Sequence, residues 1–155
     1  MKRTIRINFL ILLLTLSLSA ETLTGQVVKV ADGDTITVLD SSNTQHRIRL
    51  ISIDAPESNQ AFGQKSKAHL SSLCFGKKVK VEWKQKDRYK RILGVVFVGK
   101  VNCNEEMLKA GFAWHYRQYS KDKKLQAMED MAKAEKKGLW ADKEPVPPWE
   151  FRRKK

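Results

Sequence analysis

The sequence predicts an α+β fold, a closed five-stranded β-barrel of the OB type with about three packed helices. Five segments rich in β-branched and apolar residues occur along the chain, and a helical segment follows the third of them. Each helical segment ends at a glycine, the residue that most often stops a helix. The 155 residues, 41% of them apolar, are enough for one domain with a sizeable core and too few for two.

The strands are predicted where apolar side chains recur with a period of two, at residues 25–31, 35–39, 46–53, 78–83 and 91–98. Asp32-Gly33 predicts a tight turn between the first two strands, because glycine accepts positive φ. The polar segment 40–44 leads to the third strand. The barrel therefore begins as a three-stranded meander, which Ala55-Pro56 ends.

Helices are predicted at residues 62–75, 104–110 and 120–137. In the last of these, Leu125, Met128 and Ala132 are spaced to share one face, which indicates a side turned to the core.

Three parts follow along the chain: a signal peptide at 1–20, a folded domain at 21–141 and an extended, basic, Pro/Trp-containing tail at 142–155. A basic start, a short apolar stretch at 9–16 and small residues after it are typical of a signal peptide. Cleavage after Ser19 and cleavage after Ala20 both remain open. The protein is therefore predicted to be exported, either to a periplasm or out of the cell.

The charge balance predicts a polyanionic partner. Thirty Lys and Arg residues against 17 Asp and Glu give a net charge of +13, which attracts nucleic acid, anionic lipid or acidic polysaccharide. No apolar run approaches the roughly 20 residues that a membrane span needs, so a multi-span membrane protein is excluded.

The cysteines leave two alternatives open. Cys74 and Cys103 form no CxxC motif, which argues against a structural zinc site. Export would place them in an oxidising compartment, where they could form a disulfide. The alternative is two buried free thiols.

Acidic residues gather in two short segments, with Asp32 and Asp34 in the first turn and Asp54 and Glu57 after the third strand. If the second and third strands pair as a hairpin, Asp34 lies opposite about Ile51, roughly 10 Å from Asp54 at about 3.3 Å per residue. Carboxylates that converge need a cation between them, which predicts Ca²⁺ or Mg²⁺. The alternative is that these acids only stabilise turns.

Arginines accompany the acids. Arg49 lies on the strand that leads to Asp54, and its side chain is either solvated or aimed at the acidic residues. Arg91 opens the last strand. A metal ion that activates water, together with guanidinium groups that hold phosphate oxygens, is what phosphodiester cleavage requires.

Four short motifs in order resemble those of the staphylococcal nuclease (thermonuclease) family: Asp32-Gly33-Asp34-Thr35, Ile48-Arg49-Leu50, Asp54-Ala55-Pro56-Glu57 and Asp87-Arg88-Tyr89-Lys90-Arg91. The similarity runs from about residue 25 to residue 140. It implies a Ca²⁺-dependent nuclease on an OB-type barrel that cleaves DNA and RNA and leaves 5′-hydroxyl and 3′-phosphate ends.

The resemblance also implies roles for individual residues. Asp34, Asp54 and the backbone carbonyl of Ala55 match the Ca²⁺ ligands of the family. The catalytic residues it implies are Glu57, which acts on the attacking water, and two phosphate-binding arginines, Arg49 and Arg91.

Three further residues are candidates for substrate binding. Tyr89 matches an aromatic residue that contacts the nucleotide in the family, and Arg88 precedes it in the same motif. Tyr116 is a candidate for base stacking on its residue type alone, with packing against the core as the alternative.

Two other functions compete with the nuclease hypothesis. The first is an OB-type module that binds nucleic acid without cutting it, although carboxylates near phosphate would weaken such a binder. The second is an envelope protein that holds anionic polymers, which leaves the acidic residues unexplained. Nothing in the sequence requires more than a monomer.

Overall fold

The structure is a computed structural model that describes residues 20–154. The proposed signal peptide therefore lies outside the described residues except for Ala20. Within the described range the strands are β1 Glu21–Asp32, β2 Thr35–Leu39, β3 Gln45–Leu50, β4 Ile53–Asp54, β5 Lys78–Lys86, β6 Ile92–Val98, β7 Val101–Asn102 and β8 Trp114–His115. The α-helices are α1 Gly63–Cys74, α2 Cys103–Lys109, α3 Lys123–Ala134 and α4 Pro148–Arg153, with a 3-10 helix at Gly138–Ala141. No helix in this range has the length and apolar character needed to cross a membrane.

Five strands close into a barrel. β1 pairs antiparallel with β2 and with β5, β2 pairs antiparallel with β3, and β5 pairs antiparallel with β6. A parallel pairing of β3 with β6, from Ile48 opposite Ile92 to Leu50 opposite Gly94, completes the ring. The predicted α+β fold with an OB-type barrel is confirmed.

The barrel interior is filled by the inward-facing residues of these strands. The fully or nearly fully buried side chains include Val27, Ile36, Val38, Ile48, Leu50, Val79, Val81 and Val96. Leu70 of α1 and Met107 and Leu108 of α2 pack on the same cluster. Burial of this apolar surface is the main term that holds the domain together.

Both cysteines lie in this core as free thiols, so the disulfide considered for Cys74 and Cys103 is not formed in the structure. The Cys74 thiol donates to the Leu70 carbonyl at 3.2 Å. Burial raises the pKa of Cys74 to about 12 and that of Cys103 to about 11. The two residues act as small apolar side chains between barrel and helices.

The third strand differs from its predicted range of residues 46–53. β3 ends at Leu50, because Ser52 has a left-handed φ of 66° and redirects the chain. The next two residues form β4, which leaves the barrel and pairs with β8, with Ile53 opposite His115 and Asp54 opposite Trp114. This pairing places the Asp54 segment at one end of the barrel.

The third helix starts three residues later than predicted, at Lys123 rather than Ser120. Asp122 is the N-cap, and its carboxylate accepts hydrogen bonds from the backbone of Lys124 and Leu125 at 2.8 and 3.4 Å. An Asp cap satisfies backbone donors that otherwise have no partner at a helix start.

The C-terminal segment contains a helix rather than being extended throughout, which corrects the expectation for residues 142–155. Pro148 starts α4 at a position where its missing N–H is not needed. Trp149 then packs against Trp114 and Tyr116, with ring centroids 5.6 and 5.5 Å apart. These aromatic contacts hold α4 on the domain.

Candidate active site

Asp34 stands at the entrance to β2. Its backbone N–H donates to the Asp32 carboxylate at 3.0 Å, so Asp32 stabilises the turn. Turn stabilisation was the alternative role that the sequence left open for these acids. The Asp34 carbonyl accepts from the Leu50 N–H at 2.8 Å. Asp34 therefore lies opposite Leu50, one residue from the predicted position at Ile51.

The two acidic segments meet in space. The Ala55 N–H donates to Oδ2 of Asp34 at 2.7 Å, although 21 residues separate them along the chain. Gly33 permits this approach, because a Cβ at that position would lie 2.7 Å from the Cβ of Ala55. Asp54, next to Ala55, is only 1% exposed. Both carboxylates lie at the same end of the barrel.

Arg49 is aimed at these carboxylates and is not a solvated residue. Its Nη2 lies 3.1 Å from Asp34 Oδ2 and 3.0 Å from Asp54 Oδ1. Its Nη1 donates to the carbonyls of Leu50 and Ile53 at 2.6 and 3.0 Å. One guanidinium thus occupies the point on which the two carboxylates converge.

The environment of Asp34 disfavours its ionised form, although the positive charge of Arg49 opposes this effect. Burial raises the pKa of Asp34 to about 7, and the nearby charges of Asp32 and Asp54 add to the effect. Asp34 and Asp54 are hard oxygen ligands directed at one point, which suits Ca²⁺ or Mg²⁺. No group of three or more His, Cys, Asp or Glu within residues 20–154 could hold a metal ion. A cation bound by Asp34 and Asp54 would take its remaining ligands from main-chain oxygens, such as that of Ala55, or from water and substrate oxygens.

A second arginine, absent from the sequence-based hypothesis, reaches the site from α4. Arg152 binds Asp54 with both terminal nitrogens, at 2.7 Å to Oδ2 and 3.2 Å to Oδ1. Its Nη1 also contacts Oε1 of Glu57 at 2.8 Å. The hydrogen bond to Asp54 raises the pKa of Arg152, which stays charged. The signal in the sequence was Pro148-Trp149, a helix start followed by a large anchor.

Glu57 lies at the edge of the site on the segment after β4. Its backbone N–H donates to the Gln60 side chain at 3.1 Å, and its carbonyl accepts from the Gln60 N–H at 2.8 Å. A Cβ on Gly63 would come within 1.9 Å of the Glu57 carbonyl, so glycine is required where α1 starts. The backbone of Glu57 is fixed, while its carboxylate contacts Arg152.

Arg91 belongs to a second cluster, on the turn before β6. Its Nε donates to Asp87 Oδ2 at 2.8 Å, and its guanidinium lies 5.5 Å from the ring centre of Tyr89. Arg88 covers the same ring at 4.8 Å and donates to the Tyr89 hydroxyl at 2.7 Å. No ion pair in the described range joins Arg91 to Asp34 or Asp54. The structure therefore holds Arg91 with Asp87 and Tyr89.

Tyr116 lies beside the acidic cluster. Its ring stacks on Trp149 at 5.5 Å with an interplanar angle of 4°. Burial and the charge of Asp54 raise the pKa of Tyr116. The ring thus packs on α4 and borders the site, and its stacking with a base stays a prediction.

Two buried carboxylates that converge on the Arg49 guanidinium, with Arg152 beside them, define a site suited to phosphodiester chemistry at the end of a small barrel. The comparison with known families agrees with this class. The family "Staphylococcal nuclease homologue" matches residues 47–142. The chain belongs to the staphylococcal nuclease family, and it is a hydrolase of the nuclease type.

Named relatives are similar over most of the chain. An "Uncharacterized endonuclease" of Haemophilus influenzae is 47% identical over 153 residues, which cover 97% of this chain and 86% of that protein. An Escherichia coli protein with the same description is 48% identical over 132 residues, covering 84% and 86%. A "Micrococcal nuclease" of Shigella flexneri is 43% identical over 140 residues, covering 83% and 80%.

Proposed function

We propose that this protein is an exported, Ca²⁺-dependent nuclease that hydrolyses DNA and RNA and leaves 3′-phosphate ends. The observation that carries the proposal is the convergence of Asp34 Oδ2 and Asp54 Oδ1 on one atom, Nη2 of Arg49, at 3.1 and 3.0 Å. A positive charge is stabilised at that point already, and a hard divalent cation suits the same oxygen ligands.

Asp34, Asp54 and the carbonyl of Ala55 are the residues that would hold the cation. A bound Ca²⁺ would neutralise charge on the phosphate and favour attack by water. Glu57 accepts a proton from that water while the oxygen of the water forms the new bond to phosphorus. The bond from phosphorus to the 5′ oxygen breaks, and the leaving oxygen takes up a proton from solvent water. The products are a 5′-hydroxyl and a 3′-phosphate.

Arg49 and Arg91 bind the phosphate oxygens as negative charge accumulates on them. Arg49 lies at the point proposed for the cation, so its guanidinium would turn from Asp34 and Asp54 toward the phosphate when the cation binds. Arg91 is already oriented for phosphate binding by the Asp87 carboxylate. An arginine held in place in the free protein has less conformational entropy to lose when substrate binds.

Substrate binding is assigned to the exposed aromatic and basic groups around the site. Tyr89 is 61% exposed, and Arg88 lies over its ring, so this turn offers a base or sugar contact next to a cation. Tyr116, stacked on Trp149 of α4, provides a second ring. The net charge of +13 adds a sequence-independent attraction for nucleic acid.

Export is proposed from the basic, apolar and small-residue pattern of residues 1–20. The test is fractionation of expressing cells, with the protein recovered outside the cytoplasm and lacking about 20 N-terminal residues. Recovery of the uncut chain in the cytoplasm would contradict it.

The activity is tested by a gel containing DNA, renatured with Ca²⁺ or with a chelator. Clearing that needs Ca²⁺ supports the enzyme, and Asp54→Asn should abolish it because a proposed ligand is lost. Labelled oligonucleotides then report the product ends. No clearing, together with tight and salt-sensitive DNA binding, would instead indicate a non-catalytic OB-type binding module.

A further inference from the structure

The C-terminal helix α4 is attached to the domain at one side of the acidic cluster. Trp149 lies between two rings of the domain, edge-on to Trp114 at 5.6 Å and stacked on Tyr116 at 5.5 Å. Aromatic pairs at such distances are attractive beyond their buried area. Trp149 therefore sets the position of α4, and Arg152, three residues later, lies above the site.

Arg152 connects two carboxylates. Its Nη1 is shared between Asp54 Oδ1 at 3.2 Å and Glu57 Oε1 at 2.8 Å, while Nη2 binds Asp54 Oδ2 at 2.7 Å. The Asp54 side chain is 1% exposed, that of Glu57 34% and that of Arg152 41%. The bridge thus runs from the buried part of the site to its exposed edge.

Glu57 depends on this bridge for its orientation. In the described part of the chain, Arg152 is the sole hydrogen-bond partner of the Glu57 carboxylate. Like charges repel, so a Glu57 side chain without Arg152 would turn away from Asp54 and toward solvent. The backbone contacts with Gln60 fix the main chain only.

We propose that Arg152 is a positioning residue of the nuclease reaction, and that α4 is an element of the active site rather than a basic tail. It holds the Glu57 carboxylate beside Asp54, where the attacking water must lie. The inference rests on the proposed function, in which Glu57 takes the proton of that water.

The planar fork of arginine is needed for this role. Two nitrogens of one guanidinium reach two carboxylates at once, which a lysine ammonium on a flexible stem does not reproduce. We therefore expect Arg152→Lys to be impaired, although it keeps the charge.

The test compares steady-state cleavage of a fluorescent single-stranded oligodeoxynucleotide in Ca²⁺ by the full chain and its variants. Arg152→Ala should lower kcat ~10-fold or more and change KM less, because a misplaced catalytic group loses rate rather than binding. Arg153→Ala is the matched control, an exposed neighbour in α4 with the same charge, and should keep the wild-type kcat.

A double-mutant cycle separates positioning from other roles. If Arg152 acts through Glu57, adding Arg152→Ala to Glu57→Gln should cause little further loss. Losses that simply multiply would overturn the inference, and so would an Arg152→Ala variant that cleaves as fast as the wild type or faster. If Glu57→Gln itself cleaves at the wild-type rate, the proposed function of Glu57 is wrong instead.

A binding measurement without substrate completes the test. Ca²⁺ should raise the thermal midpoint of Arg152→Ala at least as much as that of the wild type, because one positive charge beside Asp54 has been removed. Loss of this stabilisation in a variant with native circular dichroism would overturn the inference, since Arg152 would then act on Asp54 and not on Glu57.

Discussion

Two clusters of charged side chains, each built around buried carboxylates, differ in how their charge is balanced. Glu129 of α3, 0% exposed, accepts from the His115 N–H at 2.9 Å and has two cations, Arg117 and Lys133, at 3.2 and 2.8 Å. The Gln126 side chain adds a donor at 3.0 Å. The Glu129 carboxylate thus has four donors, two of them cationic. We call these five residues the Glu129 cluster, and its negative charge is compensated within the protein.

The active-site cluster has the opposite balance. Four carboxylates, those of Asp32, Asp34, Asp54 and Glu57, have two guanidinium groups among them, from Arg49 and Arg152. The raised pKa of Asp34 has burial as its main cause, and the neighbouring negative charges add to it. Burial alone therefore does not distinguish the two clusters, whereas the ratio of carboxylates to cations does, and an excess of carboxylates makes the active-site cluster the candidate functional site.

The complete cluster also supports the incomplete one. Glu129 fixes the backbone of His115 in β8, and β8 pairs with β4, which carries Asp54. The Glu129 carboxylate thus helps to orient Asp54, a candidate metal ligand, through the two-residue pairing of β8 with β4.

The largest expected effect is on catalysis, through Glu57 in the active-site cluster and Arg91 on the turn before β6. Glu57→Gln and Arg91→Ala should each lower cleavage by at least ~10²-fold while the thermal midpoint changes little, because each removes a group that acts in the transition state. Rates from the oligonucleotide assay and circular dichroism melts measure both quantities. Glu135→Gln, an exposed carboxylate distant in sequence from both residues, is the control. Near-normal turnover by either variant would refute its role.

The next effect is on stability at the Glu129 cluster. Glu129→Ala should lower the free energy of unfolding by about 2–4 kcal/mol, because it leaves a buried backbone donor and two cations without their partner. Urea denaturation measures the change. Glu135→Ala, on the surface, should change it by less than about 0.5 kcal/mol. A Glu129→Ala protein as stable as the wild type would show that the Glu129 cluster is not structural and would end the comparison.

The smallest expected effect is on the reactivity of the two buried cysteine thiols, which have no ion-pair partner among the described residues. Cys74 and Cys103 should not react with a thiol reagent in the native protein at pH 8, since burial raises their pKa values to about 12 and about 11. Two thiols should react after unfolding, with or without prior reduction. Labelling that appears only after reduction would demonstrate a disulfide and contradict the structure.

The sequence predicted elements best where local pattern and packing agree. β2 occupies the predicted residues 35–39, and α1 lies within one residue of its predicted ends at each side. The end of β3 was missed because Ser52 adopts a left-handed φ, a conformation that serine rarely takes. The role of α4 was missed because its stability depends on Trp114 and Tyr116, which are more than 30 residues away in sequence.

The amino-acid sequence by itself determined the barrel, the positive charge and the identity of most candidate site residues. Residue type and spacing carry that information locally, and four motifs in order make it specific. Only the tertiary structure decided which charges meet: Arg49 between Asp34 and Asp54, Arg91 with Asp87, and Arg152 on Asp54 and Glu57. Electrostatic interactions depend on distance and burial, and strand register and the packing of distant aromatic residues set both.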